Sequence, residues 1–413
     1  MKRATHIVVR ALLRASVLSS LATVGWSQQP SITWFAVPAG YDYCQAHSVS
    51  ADGTVVAITA YSNFGPHGAY RWTQASGMQY LGTLGGAGSL AYNVSANGAV
   101  IVGVARNAIG QWRAFRWTQA TGMQDLGALG GPTSSAFSVS ADGSVIVGRS
   151  DNPSERWRAF RWTQATGMQD LGTLGGDSYC EAYGVSADGS VIVGRSDNGA
   201  GSVPAFRWTQ ADGMQDLGTL PNGTWSWGYA VSADGAVIVG SAEGTNRGFR
   251  AIRWTQVGGM QDLGALGGPE SFARGVSGDG TIIVGWADVP NSRYSRAFRW
   301  TQATGMQDLS QVYASLLTSG SFLIEAHGIS PNGRYIVGWG WNNARRRFEG
   351  FLLDTGSPRR GDVDRNGCVD DADLLQVLFA FGERGYRNED LNWDGTVDDA
   401  DLLQVLFNFG SGC

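Results

Sequence analysis

The sequence predicts a mainly β protein: a seven-bladed β-propeller closed by an N-terminal strand, followed by a small α-helical module. Three observations predict it. A hairpin phrase recurs seven times, beginning at Ser50, Ser95, Ser140, Ser186, Ser232, Ser277 and Ser330, at steps of 45, 45, 46, 46, 45 and 53 residues. Each unit holds four short apolar runs with tight-turn residues between them, which is the arithmetic of a propeller blade. Gly is abundant, at 60 of 413 residues, as many short hairpins require.

The third unit shows the elements in order. Residues 136–140 form the first strand. Asp142-Gly143 turns the chain, because Asp-Gly tolerates the positive φ of a hairpin turn. Residues 145–148, Val-Ile-Val-Gly, form a β-branched second strand. Residues 159–163 form the third, with Phe160 and Trp162 on one face. Ala165-Thr166-Gly167 then leads into a fourth strand at 168–171. A helical period is absent throughout the repeats.

The chain ends argue for closure. Residues 32–37 stand where a fourth strand belongs, ahead of the first complete unit, and the last unit stops near Asp354 without its own. The N-terminal strand is expected to complete the last blade and remove two exposed edges. The propeller is thus assigned to 31–354. Arg-Trp-Thr-Gln recurs around Trp72, Trp117, Trp162, Trp208, Trp254 and Trp300. The run from Ala114 to Gly127, Ala-Phe-Arg-Trp-Thr-Gln-Ala-Thr-Gly-Met-Gln-Asp-Leu-Gly, resembles the extracellular HAF repeat. That resemblance implies an extracellular propeller-like domain and no particular reaction.

An even hairpin loop would set Arg116 opposite Asp125, and likewise Arg161–Asp170, Arg207–Asp216, Arg253–Asp262 and Arg299–Asp308, with Tyr80 opposite Arg71 in the first unit. Residues that every blade needs read as structural. The functional expectation falls on residues outside the repeat. Trp225 and Trp227, read as a loop pair, and Trp339 and Trp341 are candidates for stacking on a carbohydrate ligand or a partner.

The first 27 residues read as an export signal, with a basic start, a short apolar stretch, and Gly25 and Ser27 at −3 and −1 of a cut. No later segment is apolar for 18 residues, so no transmembrane span is expected in the mature chain. The expected location is extracellular, in association with a cell surface. Residues 28–360 carry no net charge, which gives no footprint for nucleic acid. Neither a Gly-x-Ser-x-Gly elbow nor His-Glu-x-x-His occurs. Catalytic residues are therefore not assigned, and the reading leans away from an enzyme.

Beyond a linker at 355–361, the segment 362–413 holds the clearest chemistry. Between Gly361 and Cys413 stand twelve acidic residues against three arginines. Their spacing is regular. Asp362, Asp364, Asn366, Asp370 and Asp373 fall at positions 1, 3, 5, 9 and 12 of a twelve-residue loop, and Asp390, Asn392, Asp394, Asp398 and Asp401 repeat them. Gly367 and Gly395 occupy position 6, where such a loop turns sharply. Calcium is a hard cation that takes six to eight oxygens, and this is the EF-hand arrangement. Cys368 and Thr396 would add backbone carbonyls at position 7. Two calcium ions are the expected cofactor.

Each loop runs into an apolar helix, expected at 374–381 and 402–409 and ended by Gly382 and Gly410. Loop, helix, linker, loop, helix, with Asp at position 12, resembles a type I dockerin over nearly all of 361–413. That resemblance implies docking to a cohesin-like receptor or cell-surface protein. Positions 10 and 11, Asp371-Ala372 and Asp399-Ala400, are the implied partner contacts; they depart from the Ser-Thr common there. Cys368 and Cys413 lie in one small exported module, so a disulfide is expected. Cys44 and Cys180 share a repeat position in blades one and four and are expected to lie too far apart to bridge.

Three functions are consistent with these features. The first is a secreted, non-catalytic binding protein anchored by its calcium module. The second is a polysaccharide hydrolase or lyase delivered by the same anchor. The third is a structural surface protein that uses calcium only to fold.

Overall fold

The computed structural model describes residues 29–175, 179–244 and 248–413. The export signal at 1–27 lies outside the described residues. Seven four-stranded antiparallel sheets form a seven-bladed β-propeller. Blade one begins with Tyr43–Val49 and Val55–Tyr61, and five more blades follow in the same order. Blade seven uses Phe322–Ile329, Tyr335–Asn342 and Arg347–Asp354. Its fourth strand is Ser31–Trp34, paired antiparallel with Arg347–Asp354 from Ser31↔Asp354 to Trp34↔Phe351.

The hairpin phrase explains itself in hydrogen bonds. In blade one the hydroxyl of Ser50 donates to Asp52 Oδ1 at 2.6 Å, and the Thr54 amide donates to the same oxygen at 3.0 Å. Ser50 Oγ in turn accepts from the Val55 amide at 3.0 Å. The serine is fully buried in this network, and the same set recurs at Ser95, Ser140, Ser186, Ser232, Ser277 and Ser330. Burial alone would raise the carboxyls of Asp52, Asp142 and Asp188. The bonds from the neighbouring hydroxyls and amides outweigh it, so all three are lowered.

Strand one carries a β-bulge in every blade. In blade three it falls between Ala136 and Ser138, opposite Gly148 of strand two. A side chain on Gly148 would start 1.9 Å from the Ser135 carbonyl oxygen and 2.9 Å from the Phe160 ring. The Gly ending Val-Ile-Val-Gly is therefore set by the bulge. Between blades, Phe115, Phe160, Phe206, Phe298 and Phe351 are fully buried beside Ile101, Ile146, Ile192 and Ile238. At roughly 2 kcal/mol per buried aromatic or branched side chain, these repeated layers supply most of the cohesion.

Two expectations are corrected here. The loop between strands three and four holds three residues, an odd count, so Phe115 faces Asp125 and Arg116 faces Gln124. The same shift separates Arg161, Arg207, Arg253 and Arg299 from their expected aspartates, and Tyr70, rather than Arg71, faces Tyr80. Arginines three places earlier reach the aspartates instead: Arg158 to Asp170 at 3.7 Å and Arg250 to Asp262 at 3.4 Å. The repeats are also not free of helix. The longer step before blade seven holds a short helix, Leu309–Val312, capped by Asp308, and a 3-10 turn, Ala314–Leu316.

The C-terminal segment is two loop–helix copies. Its helices span Asp371–Ala380 and Asp399–Asn408, starting three residues earlier than expected because Asp370 and Asp398 act as N-caps with full capping boxes. The copies pair reciprocally. Val369 exchanges backbone bonds with Gly410 and Ser411, and Val397 with Gly382 and Glu383. A core of Val363, Val369, Val377, Val397, Leu402 and Val405 lies between them. Cys368 and Cys413 are joined by a disulfide, with Cα atoms 4.8 Å apart. Cys44 and Cys180 are free and buried, and burial pushes their thiols up to about 11 and about 12.

Candidate functional site

The two acidic loops bring their carboxylates together. Asp362, Asp373, Asp390 and Asp401 are all buried, at 4% exposure or less. Ligand oxygens of Asp362, Asp364 and Asp373 lie within 4.8 Å of one another. Asp373 holds the loop shut from position 12: its Oδ1 accepts from the amides of Val363 and Asp364 at 2.6 and 3.1 Å, and its Oδ2 from Asp370 at 2.9 Å. Asp401 does the same for Leu391, Asn392 and Asp398.

The donor set fits a hard cation. Asp362 Oδ1 is buried and has no hydrogen-bond partner among the described residues. A buried orphan carboxylate oxygen is costly unless a cation meets it. Burial, then Asp373 and Asp364, raise the Asp362 carboxyl; burial, then Asp401 and Asp394, push Asp390 up to about 7. Asn366 and Asn392 lie at position 5 and position 3 of their loops, and Cys368 and Thr396 at position 7. Asp370 and Asp398 already spend one oxygen each on the amides of Ala372 and Ala400.

Asp371, Ala372, Asp399 and Ala400 are exposed on the first helical turns. They head stripes that sequence reasoning missed. Leu375 and Phe379 are 48% and 81% exposed, and Leu403 and Phe407 are 44% and 71% exposed. Their spacing of four in both copies was the available signal.

The segment also touches the propeller. Trp393, at position 4 of the second loop, is buried among Ala51, Ala96 and Ala141, with Ala187, Ala233 and Tyr386 around them. These alanines belong to the Ser-Ala-Asp-Gly hairpins that ring one end of the channel. The sixth hairpin carries Gly278 instead, and a side chain there would start 2.2 Å from Trp393 Cη2. Arg365, at position 4 of the first loop, pairs with Asp279 of the same hairpin. Trp393 thus stoppers the hairpin end of the channel.

Beyond the stopper, the bulged residue of each blade lines the channel: His47, Tyr92, Phe137, Tyr183, Tyr229, Arg274 and His327. Neighbouring rings touch around the circle, from His327 stacked on His47 at 5.0 Å to Tyr183 on Tyr229 at 5.4 Å. His47 Nε2 lies 3.2 Å from Tyr61 Oη, and His327 Nε2 lies 3.0 Å from Glu325 Oε2. Burial, then His327 and Arg274, hold His47 well below the ordinary imidazole range, so it is neutral.

The tryptophan candidates are placed differently from expectation. Trp227 lies on strand Ser226–Val231 rather than in a loop, stacked on Tyr229 at 6.2 Å, with Trp225 beside it at 6.1 Å. Trp339 and Trp341 lie on Tyr335–Asn342 and both pack on Phe348. The two pairs belong to blades five and seven, with blade six between them. Only Trp225 exceeds a third exposure, at 40%.

No protein-family profile and no curated protein matches this sequence. Solved structures share the fold. The β-propeller domain of the Trilobed protease from Pyrococcus furiosus, described as having an open velcro topology, is 10% identical, with a TM-score of 0.50 over 76% of this chain and 96% of that one. TolB from Acinetobacter baumannii is 13% identical, with a TM-score of 0.44 over 65% of this chain. The chain spans just under two thirds of that TolB, 64% of its length.

Proposed function

We propose that this chain is an exported, non-catalytic binding protein of the HAF-repeat kind. Its propeller recognises a ligand or surface, and its C-terminal segment is a dockerin-like module that binds two calcium ions and docks a cohesin-like receptor. The observation that carries the calcium reading is the orphaned, buried Asp362 Oδ1 beside Asp364 and Asp373. Calcium, when bound, would supply the positive charge that offsets the crowded carboxylates, and Asp362, Asp364 and Asp373 are the residues that would hold it in the first loop. Around it this chain's residues do the rest. Asp373 and Asp401 orient the loop amides, the capping aspartates start the helices, and the helices hold out Leu375–Phe379 and Leu403–Phe407 as two nearly equivalent apolar stripes. Such repeated, exposed apolar pairs suit a protein partner.

The full mature chain tests this. Calorimetry after chelation should find two calcium sites, and D362N with D390N should remove both and the docking of a cohesin. Fewer than one calcium bound at millimolar concentration would overturn the reading. A second reading, an extracellular polysaccharide hydrolase or lyase, is favoured by the acid–base groups His47, Tyr61, His327 and Glu325 gathered in the channel. Product release from acidic and neutral polysaccharides decides between the two.

A further inference from the structure

We propose that the central channel binds a small ligand carrying a carboxylate on a single six-membered ring, with Arg274 taking the carboxylate. This rests on the binding reading above and names its ligand class.

Arg274 is the starting point. Its guanidinium lies 4.3 Å from the Tyr229 ring and 5.7 Å from the Phe272 ring. Among the described residues it makes no hydrogen bond and no ion pair. The two other channel-side arginines are consumed: Arg149 and Arg195 both bond Glu181, at 2.6 and 2.8 Å. A guanidinium held over an aromatic ring, with its fork of donors making no hydrogen bond, is positioned for a carboxylate. The position is built, since the bulge of strand one brings the side chain to the cavity wall and the ring contact holds it there.

The neighbours select a ring. The cavity bounded by this circle and by Trp393 is about 180 Å³, lined by Tyr183, Tyr229, Arg274, His47 and His327. A cavity of about 150 Å³ suffices for benzene, so one six-membered ring fits. Tyr183 and Tyr229 give the cavity an aromatic wall beside the ring's apolar side. His327 has both nitrogens engaged, by Ala46 O at 3.2 Å and by Glu325. Glu325 bonds His327, and it makes no hydrogen bond to Arg274 although the guanidinium is near enough to help hold its carboxyl low.

Glucuronate and benzoate share this chemistry, and the experiment separates them. Calorimetry on the calcium-loaded mature chain uses glucuronate, benzoate, glucose and inorganic phosphate. At least one ring carboxylate should bind one per chain, and both glucose and phosphate at least tenfold more weakly. Arg274→Gln should weaken the ring carboxylate at least tenfold, and Arg274→Lys less, with unchanged melting temperatures. Glucuronate binding tighter makes the ligand an acidic sugar; benzoate tighter makes it an aryl acid. Phosphate binding as tightly as both, no binding by either carboxylate, or equal binding by Arg274→Gln would overturn the proposal. The calcium arm is read separately, so a failed channel leaves the module's reading untouched.

Discussion

Asn332 Nδ2 donates to the carbonyl oxygen of Ala51 at 3.0 Å, and this one side-chain bond closes a circle that backbone amides make everywhere else. Ala51 donates to Ala96, Asn97 to Ala141, Ala141 to Ala187, Ala187 to Ala233, Ala233 to Gly278, and Gly278 to Pro331. Pro331 has no N–H to pass on. The neighbouring asparagine supplies the missing donor. Asn332→Asp keeps the turn's acceptor oxygen, removes that donor and sets a carboxylate oxygen in its place. It should cost about 1–2 kcal/mol, because the buried Ala51 carbonyl is left unmet. Pro331→Ala in the same chain restores a backbone donor and should recover most of the loss. Thermal melting of the single and double variants checks both; a double variant no more stable than the single one would refute the closure.

Gly278 is the one glycine among the seven ring positions, and Trp393 occupies the space. Gly278→Ala adds only the methyl group that five other hairpins already carry. It should leave the propeller folded and expel Trp393 from the channel end. Tryptophan emission should shift to the red, and proteolysis within 355–361 should accelerate. Trp393→Ala should loosen the same contact by roughly 3 kcal/mol, the scale of a large-to-small change at a buried aromatic. Emission and cleavage unchanged from wild type in Gly278→Ala would exclude the stopper.

Blade number, strand order and the N-terminal closing strand were legible because the repeat states them seven times. Register was not. Whether Arg116 or Phe115 faces Asp125 depends on one residue of loop length, and a one-residue slip exchanges the faces. The bulges were equally hidden, since the extra residue at Phe137 or Arg274 looks like any other strand residue. Gly148, which the bulge requires, was visible but reads only as the end of the second strand. The acidic loops were legible because chemistry fixes their spacing. Their contact with the propeller was not, although Gly278 stood out as a break in the Ser-Ala-Asp-Gly phrase.

In the first loop, Asp362→Asn should separate folding from calcium. Without calcium the substitution removes a buried carboxylate whose carboxyl is raised by burial and by Asp373 and Asp364. The calcium-free segment should therefore be no less stable than wild type. With calcium, the loss of a charged ligand should weaken the first site at least about tenfold. Chelated and calcium-loaded melting curves should cross over between the two proteins. A loss of stability equal in both conditions would show that Asp362 acts through packing alone.

The channel should make the propeller sensitive to mild acid. His47 is half-buried against Tyr61, Tyr92 and His327, with Arg274 nearby, and its imidazole is held well below the ordinary value of 6.5. The folded state therefore stays unprotonated where the unfolded chain takes up a proton. Stability that is fully present above pH 6.5 is lost as pH falls below it, down to the depressed folded value. Between pH 7.5 and 5.5 the loss from this one group is at most about 1.4 kcal/mol. Glu181, Glu325 and the hairpin aspartates are lowered carboxyls, so they lose their contribution only near pH 4 and below. The raised carboxyls of Asp362, Asp390 and Asp401 would act in the opposite sense, equally in wild type and variant, so the difference between the two proteins cancels them. His47→Gln keeps a side chain that can meet Tyr61 and cannot titrate. In calcium, denaturant unfolding of wild type should weaken over this interval, and the variant should lose less, by at most about 1.4 kcal/mol. Equal losses in both proteins would mean that His47 is not held neutral in the channel.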